Sequence, residues 1–271
     1  MKVFKTLVLL FAISTTVCAH VPFLKPNQFN VLHNRLQIES SFTEDPFQAD
    51  FAMLSDEYFI VSASLERKNI IPSFKTQAAV YLEPQMSDSG TYRIHSALRK
   101  GPKYKGIETD NAKLYFANDT LKHKGKSIQL QYYSSADTYL TLGKSNYKPC
   151  FMNRGVEIIP LHSPNDIVLH TPTKFCIYFN GKPAPNARVV VAYDNDHYVT
   201  VPSTDLYDIE NARSNNIYAN DRGEFYFNPQ KAGLVLLFVT IHKKINNTLW
   251  ESYNNSLTLE IQLPDVVGKN V

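Results

Sequence analysis

The chain is predicted to be all-β, folded as two β-sandwich domains. Three observations carry this. Short runs alternate apolar and polar residues, as in Leu36, Ile38, Ser40 and Phe42 and again over 257–263 (LTLEIQL). Clusters of Gly, Pro, Asn and Asp separate such runs. Aromatic residues, which favour strands, are abundant at 16 Tyr and 16 Phe, while helix signals are scarce.

The first nineteen residues read as a cleaved signal peptide. Lys2 and Lys5 make a positive start, residues 7–13 (LVLLFAI) are the apolar stretch, and Val17-Cys18-Ala19 precedes the cut. Val17 stands where a lipoprotein signal needs a smaller residue, so Cys18 is not read as a lipid anchor. The apolar run is too short to span a bilayer, and no later run approaches 18 apolar residues. The expectation is a periplasmic or secreted protein that is not an integral membrane protein. Net charge is +3, and two of the positives leave with the leader, so no bulk field argues for nucleic acid. Cys150 and Cys176 remain, and they either form one disulfide or stay as two buried thiols.

Cleavage after Ala19 makes His20 the first residue. Pro22 and Pro26 keep the segment behind it extended. Strands are expected over 36–42, 58–65 and 77–82, and over 91–95 after the Asp88-Ser89-Gly90 turn. The lysine-rich stretch 99–126 is expected to be a solvated excursion, with anion or membrane binding as the alternative reading. Residues 127–133 and 138–142 are expected to form a strand pair. The segment 160–171, with Pro160, Pro164 and Asn165-Asp166, is the expected junction between a domain over 20–165 and one over 166–264. In the second domain 174–179 is a strand and Asn180-Gly181 the strongest turn signal of the chain. Strands are expected at 187–193, 224–227, 234–242 and 257–263. A polar insertion occupies 194–220, and residues 265–271 are a tail.

The second half carries a resemblance. Residues 179–187 (FNGKPAPNA), 220–225 (NDRGEF) and 231–234 (KAGL) resemble the transthyretin-like, or carboxypeptidase-regulatory-like, β-sandwich. The Ala19-His20 start with Pro26, the block 161–166 (LHSPND), and His242 followed by 250–258 (WESYNNSLT) extend it. Together they resemble the exported, NikM-like family described as nickel-uptake substrate-specific. The resemblance does not extend to the basic stretch or to 194–220. It implies a periplasmic protein tied to transition-metal uptake, partnered with an outer-membrane or inner-membrane metal transporter. It also implies that His162 and His242 occupy recurring positions.

His20 is the leading metal candidate on its own chemistry. A terminal histidine offers an α-amine and an imidazole, which suit nickel, cobalt, copper or zinc. His162 and His242 are the other candidate ligands; a hydrogen-bonded structural histidine is the competing reading for each. His242 shares parity with Leu234, Leu236, Phe238 and Thr240, so it points inward if they face the core. His33, His95, His123, His170 and His197 show no ligand spacing. No nucleophile elbow or phosphate-binding glycine loop is present, so the chain is not read as an enzyme. A divalent-metal-binding accessory protein is the expected function. The alternatives are a metal-free exported binding or structural module and, further off, a histidine-brace copper monooxygenase.

Overall fold

The computed structural model describes residues 20–33, 35–110, 114–116, 124–194, 196 and 216–264, with backbone only at 115 and 116. The expected leader, the tail, His123, His197 and most of the 194–220 insertion lie outside the described residues. Among the described residues the regular structure is β, with no α-helix, as predicted.

In chain order the strands begin with β1 (Val21–Pro26), β2 (Asn30–Val31), β3 (Ile38–Thr43), β4 (Phe51–Ala52), β5 (Tyr58–Val61), β6 (Arg67–Ile70), β7 (Pro72–Lys75), β8 (Val80–Leu82) and β9 (Gly90–Ser96). The middle of the chain gives β10 (Arg99–Glu108), β11 (Leu114–Phe116), β12 (Lys126–Leu142) and β13 (Val156–Pro160). The rest gives β14 (Thr173–Phe179), β15 (Lys182–Pro183), β16 (Arg188–Tyr193), β17 (Ile217–Tyr218), β18 (Glu224–Phe227), β19 (Gly233–Lys244) and β20 (Leu249–Ile261).

An 11-stranded sheet organises the fold, running β17-β16-β19-β20-β12-β9-β5-β6, with β10, β11 and β2 attached around β12. It is continuous across the expected junction at 165/166, because β20 lies parallel to β12 from Gln129↔Leu249 to Thr138↔Thr258. Two smaller sheets cover it on opposite faces. The β1-β3-β8-β7 sheet packs Leu24, Ile38 and Leu82 over Ile94, Ala136 and Leu140. The β13-β14-β15 sheet, joined by β18, packs Phe175 and Ile177 over Val189, Leu237 and Leu257. Alternation along β12 explains the opposition: Ala136 and Leu140 face one cover, and Tyr139 faces the other. Each fully buried Val, Leu, Ile or Phe side chain contributes about 1.5–3 kcal/mol.

Strand β19 reads as a continuous apolar run because both of its faces are buried. Val235, Leu237 and Val239 enter the second sandwich core, while Leu236 packs with Phe23, Phe47 and Ala192 on the other side. The Asn180-Gly181 turn joins β14 to β15 with φ of 49° and 76°, the left-handed pair that a tight hairpin needs.

Two expectations are corrected, and the open alternative for the cysteines is decided. Residues 99–108 form a ten-residue strand rather than an excursion, paired with β12 from Arg99↔Ser134 to Glu108↔Lys126. Pro102 sits in a bulge between Lys100 and Lys103, where no ladder N–H is required, and Gln131 Nε2 donates to Gly101 O (2.6 Å) to hold it. The expected strand pair over 127–142 is one 17-residue strand. Within its buried middle, Ser135 and Asp137 are held by hydrogen bonds from Asn255 rather than turned to solvent. The cysteines are two free thiols. Cys176 Sγ lies 3.5 Å from Arg222 O, and the Cys150 carbonyl accepts from Arg93 (2.7 Å). Burial raises the pKa of both thiols. Among the described residues no helix is long and apolar enough to cross a membrane.

Candidate functional site

His20 sits where three chain segments meet. The β1–β3 ladder starts at Val21↔Thr43, so one register step further places His20 opposite Glu44. The chain then turns back through 45–50. Phe51 pairs with Phe42, and the backbone N–H of Asp50 donates to Phe42 O (2.9 Å), which returns Asp50 to the same spot. Phe47 anchors that loop by packing edge-on to Phe23, with ring centroids 5.8 Å apart. The Asp50 carboxylate accepts from the Glu44 backbone N–H (2.7 Å).

The result is an imidazole facing two carboxylates. His20 Nε2 lies 3.2 Å from Glu44 Oε1 and 3.6 Å from Asp50 Oδ2. The Phe51 ring tilts against the imidazole at 4.5 Å and stacks on Phe42 at 5.1 Å. His20 is 18% exposed, Glu44 44% and Asp50 39%, so solvent reaches the acids while the ring is walled in. Phe51 also lines an open groove of about 510 Å³ with Leu54 and Lys75. Carboxylates accept hydrogen bonds, so in its neutral form the ring carries its proton on Nε2 and its lone pair on Nδ1. That is how an orienting carboxylate sets a metal-ligating histidine. Among the described residues, no three His, Cys, Asp or Glu side chains are already gathered as a metal site.

His162 and His242 lie elsewhere. His162 is exposed, in the connection after β13. His242 is half-buried near the end of β19, opposite Ser252 on β20. It follows the parity of Leu236, which packs with Phe23, Phe47 and Ala192 rather than in the second sandwich core. Its Nδ1 is buried without a hydrogen-bond partner, as is Ser252 Oγ. Burial, then the charge of Arg188, lower its pKa to about 4, so the ring is neutral at ordinary pH. The three histidines do not gather into one metal-binding group.

Sequence reasoning missed a second constellation, centred on His95. Arg93, Asp137 and Glu157 are essentially fully buried between the main sheet and the 147–157 segment. Asp137 Oδ1 accepts from Arg93 Nε (2.7 Å) and His95 Nδ1 (2.8 Å), and its Oδ2 accepts from Asn255 Nδ2 (2.9 Å). Glu157 accepts from Arg93 Nη1 (2.9 Å) and from the backbone N–H groups of Met152 (2.8 Å) and Asn153 (2.7 Å). Burial opposes the Asp137 charge, but Arg93 and His95 outweigh it and hold the carboxyl well below its ordinary range. Burial likewise opposes the Arg93 charge, and Asp137 reverses the effect. This network joins β9, β12, β13 and β20, and it reads as a structural rivet. The only sequence signal for it was Arg93 and His95 alternating with Tyr92 and Ile94 in a strand whose seven residues are all buried.

A β-sandwich protein with an acid-flanked histidine at the start of its first strand is therefore the class in hand. The chain belongs to the family described as "Domain of unknown function (DUF4198)", whose model matches residues 17–243. No curated protein matches it. Among solved structures, the dimeric latent PorU from Porphyromonas gingivalis is similar at 9% identity, covering 89% of this chain and 20% of that one, with a TM-score of 0.18. The chain thus spans about a fifth of that protein, and a likeness this slight carries no argument.

Proposed function

We propose that this is an exported protein that binds a divalent transition-metal ion through His20 and serves uptake of nickel or cobalt, with copper or zinc as the competing ions. One observation carries the reading: two carboxylates meet Nε2 of the residue that leader cleavage after Ala19 makes N-terminal. With the proton fixed on Nε2, the Nδ1 lone pair and the new α-amine belong to the same residue and can close a chelate ring. Nitrogen donors of this kind suit late first-row divalent ions. Glu44 and Asp50 orient the ring and supply negative charge beside it. The resemblance to the NikM-like family supports the assignment to metal uptake and a transporter partner.

The test is calorimetric titration of nickel, cobalt, copper and zinc into protein whose His20 terminus is verified by mass spectrometry. A parallel sample carries one extra alanine before His20. Tight, stoichiometric binding that the alanine abolishes is the expected result. Equal affinity in both samples, or none in either, overturns the proposal.

A further inference from the structure

The four central strands of the main sheet extend past the β13-β14 cover, and their register composes an open face. Across the sheet one row reads Lys100, Tyr133, Tyr253, Ile241, and the next reads Lys103, Gln131, Glu251, Lys243. A third row reads Lys105, Gln129, Leu249. Paired residues share a face, so these side chains project from the same side of the sheet. The cover ends where Phe179 meets Tyr253 edge-on at 5.0 Å. Beyond that point Lys100, Lys103, Lys105, Gln129 and Lys243 are exposed, while Tyr133, Glu251 and Tyr253 are half-exposed.

The face is built and charged. Tyr133 and Tyr253 stack at 4.8 Å with 11° between their planes. Both hydroxyls donate to Glu251, at 3.4 and 2.8 Å, which fixes the rings and the carboxylate together. Gln131 is tied to the bulge at Gly101 and holds Lys100 and Lys103 on either side of it. No carboxylate among the described residues pairs with Lys100, Lys103 or Lys105.

We propose that this face binds an acidic polysaccharide, a chain of hydroxyl-bearing sugars with carboxylate substituents. The three unpaired lysines line one edge and call for a linear polyanion running along β10. Glu251 stands two strands away, roughly 9–10 Å at the usual strand spacing. A carboxylate there repels a phosphodiester backbone lying across the face, yet it accepts hydrogen bonds from sugar hydroxyls. The Tyr133 ring and the Gln129 amide supply the amphipathic and amide contacts that a sugar ring uses. The lysines hold the acid groups at one edge while the polar centre reads hydroxyls. This site is separate from His20, and its test does not depend on metal.

Affinity electrophoresis of the purified chain through gels containing polygalacturonate measures the interaction directly, with neutral dextran as control. Retardation by polygalacturonate, absent with dextran and weakened as salt is raised, is expected. Lys103→Glu with Lys105→Glu should raise the dissociation constant by about tenfold or more, while Lys103→Arg with Lys105→Arg retains binding. Both variants change exposed side chains, and matching circular dichroism melts verify their folds. No retardation by polygalacturonate overturns the proposal, as does retardation that the glutamate pair leaves unchanged. Equal or tighter binding to duplex DNA or to phosphatidylglycerol vesicles also overturns it, since the face would then be a general cationic surface.

Discussion

His95 and His20 each turn a ring nitrogen toward carboxylates, but their surroundings differ. His95 meets Asp137 inside the protein, where Arg93 bridges the same carboxylate to Glu157 and water is excluded. His20 meets Glu44 and Asp50 at the rim, where no arginine among the described residues pairs with the acids and solvent reaches them. The lesson is that an imidazole–carboxylate contact has no fixed meaning. A buried counter-cation closes the pair into scaffold, and a rim position leaves the acids in contact with solvent.

The sharpest way to break the comparison is to remove the counter-cation. Arg93→Met leaves Asp137 and Glu157 buried and facing each other, and should lower the unfolding free energy by about 3–5 kcal/mol in a urea titration. A loss below about 1 kcal/mol would show that the cluster is not the rivet described. The converse change, Glu44→Gln with Asp50→Asn, should cost less than about 1 kcal/mol of stability, because the acids are exposed. It should weaken metal affinity by about 10–100-fold, as loss of orienting carboxylates does elsewhere. Unchanged affinity would make the acids bystanders.

The pH dependence separates the two regions further. The Asp137 carboxyl is held below its ordinary range when folded. The unfolded chain titrates it near ~3.9, so the unfolded state takes up the proton first. Its contribution is therefore full above that pH and is lost as pH falls further. Acid melts of the Asp137→Asn variant should start lower and show a flatter acid limb than the parent. His242 gives a smaller effect in a milder window. Its folded pKa of about 4 lies below the unfolded value near ~6.5, so stability falls as pH drops from ~6.5 toward 4. His242→Gln should flatten that slope, and an unaltered slope would show that the ring takes up its proton while folded. Smallest of all, thiol titration of the denatured, unreduced chain from His20 onward should find both Cys150 and Cys176 reactive.

Much of the β pattern was legible because alternation and turn chemistry are local. The β14–β15 hairpin followed from Asn180-Gly181, and β3, β9, β16, β18 and β19 from their apolar periods. Strand β10 was not legible. Four of its ten residues are basic and Pro102 interrupts it, and its pairing with the long β12 and with β11 makes it a strand. The middle of β12 misled for a related reason: Ser135 and Asp137 are polar because their partners on β9 and β20 are polar, and those partners are remote in sequence. At the candidate site, His20 was singled out from the sequence for the chemistry a terminal histidine would have. Glu44 and Asp50 were not singled out, since the register that brings them to His20 belongs to the folded ladder.

The parallel contact of β12 with β20 has a consequence for the order of events. Thr138 Oγ1 reaches the Thr258 carbonyl across 120 residues of chain, so the centre of the sheet stays unfinished until its last strand is made. Folding dominated by such distant partners is slow, because the loop between them must close before the contact stabilises anything.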